Sequence, residues 1–214
     1  MRVAGIGENA SDPIAFEDTD TTGTSEGCEM VEPWLRGTLT EDDAVRRGVL
    51  HALELTREDV LRWCGDFTEE QLEARPFGLP SVGFQMRHIA RSLDRLLTYA
   101  EGRQLSDAQL GALDREMEPS GSRKSLFEEF VGAIEESMRR IKAFSPGMYD
   151  KTRWVGRGCL PSSVGGLLVH CADHAQRHVG QLVTTAKVVV GMRRAGDSRR
   201  MGDWFPAAPR RSEE

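Results

Sequence analysis

Three of the five histidines of the chain lie four residues apart in a single stretch. His170, His174 and His178 occur in "LLVHCADHAQRHVGQ", residues 167–181. On an α-helix of about 100° per residue, His174, His178 and Gln181 lie about 40°, 80° and 20° from His170, on one narrow stripe. Two histidines at positions i and i+4 can bind the same metal ion, and imidazole suits Zn, Ni, Cu or Fe. The spacing is therefore compatible with metal binding, although evenly spaced histidines of an arbitrary sequence are more often helix-flank residues hydrogen-bonded to neighbours or water.

A third ligand has to come from another part of the chain, where His51 and His88 remain. The apolar residues around the histidine stripe centre about 160° from His170, so the imidazoles flank the core rather than lie within it. His88 also lies on the flank of its own helix. With Met86 taken as zero, His88 lies near 200° and the apolar stripe centres near 330°. The two flanks can meet across a groove. His51 has no partner pattern, and we expect it at the surface or at an interface.

Four helices are needed to position these residues. Apolar residues recur at spacings of three and four, and the predicted helices span residues 41–65, 81–102, 122–145 and 162–191, the first capped by Thr40. Strand signals are nearly absent, with only "KVVVG" at 187–191 ambiguous. Four amphipathic helices that bury their stripes against one another predict an all-α four-helix bundle. The connections 103–121 and 146–161 are long enough to cross the bundle or to cover a site.

Length and composition indicate one domain with peripheral ends. With 214 residues, 39% hydrophobic and 29% charged, the chain has the balance of a soluble globular protein. We predict a flexible acidic arm at 1–33, a helical domain at 34–191 and a tail at 192–214, with Trp204 and Phe205 as possible anchors of the tail. The four cysteines lack CxxC spacing, which indicates neither a disulfide framework nor a zinc knuckle.

Charge and hydropathy exclude some classes of partner. Seven acidic residues and one basic residue in the first 30 account for the net charge of −6, so the remainder is formally neutral. This argues against nucleic acid or anionic lipid as a partner. No apolar run reaches the roughly 20 residues that span a bilayer, and the N-terminal stretch does not read as a secretory signal. We therefore expect a cytoplasmic protein with no membrane association.

Two stretches together resemble the DinB/YfiT-like superfamily. They are "HCADHAQRHVGQ" at 170–181 and "GFQMRHIARSLDRLLTYAEG" at 83–102, and the resemblance also includes "PWLRG" at 33–37. In that family a histidine of the second helix and an HxxxH pair of the last helix bind a divalent metal. The resemblance therefore implies a DinB/YfiT-like four-helix bundle with His88, His174 and His178 as ligands. It also implies a homodimer by family habit.

Several neighbours could support or extend this site. His170 adds a fourth imidazole to the stripe, so the binding pair could be shifted by one turn, although supporting a ligand from behind or a structural role fits His170 better. Cys171 could approach the metal as a thiolate, yet buried cysteine commonly serves as a small hydrophobe. The remaining candidates are Gln181, which could orient a ligand, and three residues on the flank of His88 that could line a pocket, namely Ser92, Arg95 and Tyr99.

The reaction is less determined than the site. Three protein ligands leave coordination positions for water or substrate, and the ion can lower the pKa of a bound water or thiol. Zn or Ni is the expected metal, with Fe, Mn or Cu as alternatives. Because the family includes thiol S-transferases and an isomerase, we expect a metal-dependent thiol S-transferase acting on a small molecule, with a low-molecular-weight thiol as substrate. A metal-dependent hydrolase or isomerase, or a non-catalytic metal-binding bundle, is the alternative.

Overall fold

The fold is mostly helical, as predicted, with one small sheet. The computed structural model describes residues 31–119 and 121–196. Within these ranges the helices are α1 (Ala44–Cys64), α2 (Glu69–Glu73), α3 (Val82–Ala100), α4 (Asp107–Asp114), α5 (Arg123–Lys142) and α6 (Val164–Gly196), and the strands are β1 (Thr152–Val155) and β2 (Leu160–Ser163). Residues 1–30 of the predicted arm, and residues 197–214 with Trp204 and Phe205, lie outside the described residues.

Side-chain caps set the start of three long helices. Ser81 accepts a hydrogen bond from the backbone N–H of Phe84 at the start of α3, and Ser122 accepts one from Ser125 at the start of α5. The prediction that Thr40 caps the first helix is wrong. The Asp43 carboxylate accepts from two backbone N–H groups instead, so α1 begins at Ala44. A carboxylate at this position satisfies N–H groups that have no partner inside the helix.

The start of α6 follows a hairpin that the sequence did not indicate. Strands β1 and β2 pair antiparallel, with Trp154 opposite Pro161 and Val155 opposite Leu160. The hairpin ends at Ser163, so α6 starts at Val164 rather than directly after Pro161. The ambiguous "KVVVG" stretch lies inside α6, where Val189 is buried. Strands of four residues depend on cross-strand pairing and are too short to show a clear alternation.

The four long helices enclose the core. Helix α3 packs against α5 and α6, and α1 packs against the same two helices. The predicted stripe of α3 is buried at Met86, Ile89, Leu93, Leu97 and Ala100, and that of α5 at Leu126, Phe130, Ile134, Ser137 and Ile141. Complete burial of one such large apolar side chain stabilises the fold by about 1.5–3 kcal/mol. The core therefore fixes the face that α3 turns towards α6.

Helix α1 deviates from its predicted stripe. Trp63 is 39% exposed, whereas Leu50 and Leu53 are fully buried. His51, expected at the surface or at an interface, is instead only 6% exposed, and its Nε2 lies 3.1 Å from Thr38 Oγ1. The pattern on α1 is ambiguous because apolar side chains surround much of the helix.

The predicted long connections contain structure of their own. Helix α4 lies within the connection 103–121, and Ser106 with Gln109 forms a capping box at its start. Residues 115–119, which follow α4, lie against α3 through several hydrogen bonds described below. Among the helices in the described ranges, none combines the length and apolar character needed to cross a membrane.

Candidate metal centre

Helices α3 and α6 bring three histidines together. His88 lies on α3, and His174 and His178 lie one turn apart on α6. One ligand-capable nitrogen from each ring lies within 4.8 Å of the other two. Ring centroids are 5.0 Å apart for His88 and His174, 4.3 Å for His88 and His178, and 4.6 Å for His174 and His178. We call these residues the three-histidine cluster.

A buried carboxylate holds the ring of His88. The Nδ1 atom of His88 lies 2.8 Å from Oε2 of Glu116, whose residue is only 4% exposed. The other carboxylate oxygen of Glu116 accepts a hydrogen bond from Arg95. With Nδ1 of His88 engaged by an acceptor, Nε2 is the nitrogen that remains available to a metal ion.

A neutral side chain holds the ring of His178 in a similar way. Its Nδ1 lies 2.7 Å from Oε1 of Gln85, a fully buried residue of α3. The amide nitrogen of Gln85 donates in turn to Oε1 of Gln181, at 3.3 Å. The predicted orienting residue Gln181 thus reaches the His178 ring through Gln85.

His174 has an unsatisfied buried nitrogen. Its Nδ1 has no hydrogen-bond partner among the described residues and is inaccessible to solvent. Leaving a buried polar atom unpaired costs about 1–3 kcal/mol, so such an atom needs an explanation. A cluster of three imidazole bases with an unpartnered nitrogen fits a divalent cation with a preference for nitrogen ligands.

The environment keeps His174 and His178 uncharged. Burial lowers the pKa of His174 to about 4, and the neighbouring His178, His88 and His170 contribute to the shift. Burial also lowers the pKa of His178, with His88 and Arg177 adding to the effect. Neutral imidazole is the form that binds metal, so both residues are ready ligands at neutral pH.

Glu116 retains its negative charge beside the cluster. Burial opposes ionisation of this carboxyl group, but hydrogen bonds from His88 and Arg95 outweigh burial and lower the pKa of Glu116. An ionised carboxylate on the far nitrogen of a metal-binding histidine is a common arrangement around metal sites.

His170 and Cys171, the two other candidate ligands of α6, differ in their distance from the cluster and in their burial. His170 lies at the edge of the cluster, with its ring centroid 5.6 Å from that of His174 and its Nδ1 3.5 Å from Asp173 Oδ2. Cys171 is fully buried, lies outside the cluster of potential ligands, and has its pKa raised to about 12 by burial, which keeps it a thiol. Its position is that of a core residue.

Of the three residues predicted to line a pocket beside His88, Arg95 borders a cavity of about 310 Å³ between α3, α4 and α5, whereas Ser92 and Tyr99 do not line that cavity. Arg95 pairs with Glu116 and also donates to Ser92 Oγ at 2.9 Å. Tyr99 is only 9% exposed and belongs to the hydrophobic core. The guanidinium of Arg95 therefore acts on the His88 ring through Glu116.

Sequence reasoning missed Glu116 and Gln85. Gln85 lies three residues before His88 on α3, and this helical spacing could have suggested a polar neighbour. Glu116 lies 28 residues after His88 in a connection, and no local spacing connects the two. Its proximity depends on how the connection folds over α3.

Fold and site together define the class: a mostly helical protein with a three-histidine cluster between two long helices. The sequence model of the DinB superfamily matches residues 52–182, a range that covers more than half of the chain and includes all three histidines. The chain belongs to the DinB superfamily. A search of curated proteins finds no match.

Proposed function

We propose that this protein binds one divalent metal ion through His88, His174 and His178 and uses it in catalysis. The observation that carries the proposal is the approach of three imidazole nitrogens to within 4.8 Å of one another. The hydrogen bonds that engage Nδ1 of His88 and of His178, and the unpartnered Nδ1 of His174, support the same assignment.

The packing supports a specific architecture for this site. Each of the four long helices contacts two others, as α1 and α3 both pack against α5 and α6. We infer a four-helix bundle of the DinB/YfiT-like type, with the three-histidine cluster between two neighbouring helices.

The donor set favours Zn or Ni. Three imidazole ligands suit borderline metals, while Mg and Ca prefer oxygen ligands; Fe, Mn and Cu are the other candidates. The ion, when bound, would lower the pKa of a water or thiol ligand and so supply a nucleophile near neutral pH. The protein contributes the position of the three rings and the neutral state of His174 and His178.

A thiol S-transferase is the specific activity we propose. The resemblance of the histidine motifs to a family that includes such enzymes supports it. Cys171 is buried and has a raised pKa, so the reacting sulfur would belong to a small-molecule thiol and not to this side chain. Such thiols are kept reduced in the cytosol, the compartment expected from the sequence.

Metal content tests the site assignment. We expect purified wild-type protein to bind one equivalent of Zn or Ni, and His174→Ala to lose it, as measured by elemental analysis after dialysis. His170→Ala is the matched control, because it removes an exposed imidazole of the same stripe, whose Nδ1 lies 3.5 Å from Asp173 Oδ2. Equal metal content in wild type and His174→Ala would contradict the assignment, and loss in His170→Ala alone would move the binding pair by one turn.

Turnover tests the activity. Metal-loaded protein is incubated with a low-molecular-weight thiol and an electrophile, and separately with esters, amides and thiol adducts that can isomerise. We expect conjugation of the thiol by the metal-loaded protein and none by His174→Ala. Turnover only on the other substrates would identify a hydrolase or isomerase, and the absence of any turnover would favour a non-catalytic metal-binding protein.

A further inference from the structure

Three arginines fasten the segment that carries Glu116. Arg87 Nε donates to the backbone oxygen of Glu116 at 3.3 Å, and Arg75 donates to the backbone oxygen of Met117 at 3.1 Å. Arg95 pairs with the Glu116 carboxylate itself. Arg87 is 1% exposed and is also paired with Glu73 at 2.7 Å. The position of the carboxylate is therefore fixed by contacts with both its backbone and its side chain.

The contact with His88 uses the second oxygen of this carboxylate. Since an ionised carboxylate only accepts hydrogen bonds, Nδ1 of His88 must carry the proton in the 2.8 Å contact. Neutral imidazole exists as two tautomers, and only the one with the proton on Nδ1 leaves an electron pair on Nε2. The pairing thus selects both the orientation and the tautomer of the ring.

The three histidines differ in the hydrogen-bond partner of their Nδ1 atoms. His178 has a neutral amide acceptor in Gln85, and Nδ1 of His174 has no partner among the described residues. Of these three rings, only His88 lies against a carboxylate in those ranges, and this carboxylate comes from a different segment of the chain. His88 is also the ligand without a histidine neighbour on its own helix.

We propose that Glu116 is a positioning residue that holds His88 as the Nδ1-protonated tautomer, with Nε2 directed at the metal site. This inference rests on the proposed metal binding by the three-histidine cluster. The charge of Glu116 makes the imidazole a stronger donor, and its anchoring by Arg95 limits rotation of the ring. The connection after α4 thereby becomes part of the metal site without providing a ligand.

The affinity for Zn²⁺ gives the first test, measured by competition with a chromophoric chelator at neutral pH. We expect Glu116→Ala to weaken binding by about 10- to 100-fold. Glu116→Gln should weaken it less, since its amide oxygen still accepts from Nδ1 but lacks the charge. The matched control is Glu129→Gln, a carboxylate of α5 that pairs with Arg91 of α3 and does not touch His88. The control should bind Zn²⁺ like wild type.

The tautomer of His88 gives a second test that needs no metal. Long-range ¹H–¹⁵N NMR of the metal-free protein should show His88 protonated on Nδ1 in wild type and Glu129→Gln. Protonation should shift towards Nε2 in Glu116→Ala or, if that variant does not fold, in Glu116→Met, because neither side chain offers Nδ1 an oxygen acceptor. An unchanged tautomer would overturn the inference whether or not the protein binds metal. Unchanged Zn²⁺ affinity in folded Glu116→Ala would overturn it as well. If wild type bound no metal but showed the expected tautomers, the proposed function would be contradicted and the role of Glu116 in setting the tautomer would stand.

Discussion

Two polar networks involve α3, and their composition differs. On the side that faces α5, Arg140 donates to Asp94 at 2.7 Å, to Glu101 at 2.7 Å and to Thr98 at 3.3 Å. There a positive group meets negative or neutral acceptors. On the side that faces α6, the three-histidine cluster gathers three bases that all accept a proton or a metal ion.

The difference separates a structural network from a binding site. The Arg140 network satisfies its charges within the chain, as buried ionic groups must to be tolerated. The histidine cluster retains an unpartnered nitrogen and gathers like groups whose proximity disfavours protonation. We therefore expect substitutions at Arg140 to act on stability and substitutions in the cluster to act on metal binding.

The largest effect should come from metal binding to the cluster. A ligand present at 1,000 times its dissociation constant stabilises the folded state by about 4 kcal/mol. Zn²⁺ at that excess should raise the melting temperature of wild type but not of His88→Ala, as measured by differential scanning calorimetry. If His88→Ala gained as much stability from Zn²⁺ as wild type, the cluster would not be the binding site.

A smaller effect is expected from Arg140→Met. The substitution removes hydrogen bonds to two carboxylates that remain partly exposed, so the free energy of unfolding should fall by about 2 kcal/mol in urea denaturation. Zn²⁺ affinity should be unchanged. Arg139→Met is the control, because its pair with Glu136 is exposed and should add little. A loss of Zn²⁺ affinity in Arg140→Met would show that the two networks are coupled.

A third effect, seen only in acid, should be the contribution of His174 to the pH dependence of stability. Its pKa is about 4 in the folded protein, against about 6.5 for unperturbed histidine. Between pH 4 and 6.5 the unfolded chain therefore binds more protons at His174 than the folded protein does. The stability that neutral His174 contributes to the folded state is complete above pH 6.5 and declines as the pH falls towards 4.

Metal-free His174→Gln provides the measurement. Urea denaturation of the metal-free proteins at several pH values should show a steeper loss of stability in wild type than in this variant between pH 6.5 and 4. Carboxylates titrate in both proteins, so the difference between the two curves isolates His174. Parallel curves would contradict a histidine held neutral by burial.

The sequence predicts what depends on local spacing. The stripes of α3 and α5, the starts of these helices near Ser81 and Ser122, and the proximity of His174 to His178 all follow from the local sequence. His88 was found because it lies on the flank of its helix and because the motifs resemble a known family.

Features that depend on distant pairing were not predictable in this way. The hairpin of β1 and β2, the proximity of Glu116 to His88 and the burial of His51 all require knowledge of how separate segments pack. The connection 103–121, predicted to be long enough to cross the bundle or to cover a site, brings Glu116 to His88. Its composition did not show which of its acidic residues would reach a histidine.

X-ray absorption spectroscopy of the Zn²⁺-loaded protein tests the central claim most directly. We expect three imidazole nitrogen ligands at about 2.0–2.1 Å in wild type and in Glu129→Gln, and one imidazole fewer around any Zn²⁺ that His88→Ala still binds. A sulfur ligand at about 2.3 Å, or a coordination sphere without imidazole, would contradict metal binding by the three-histidine cluster.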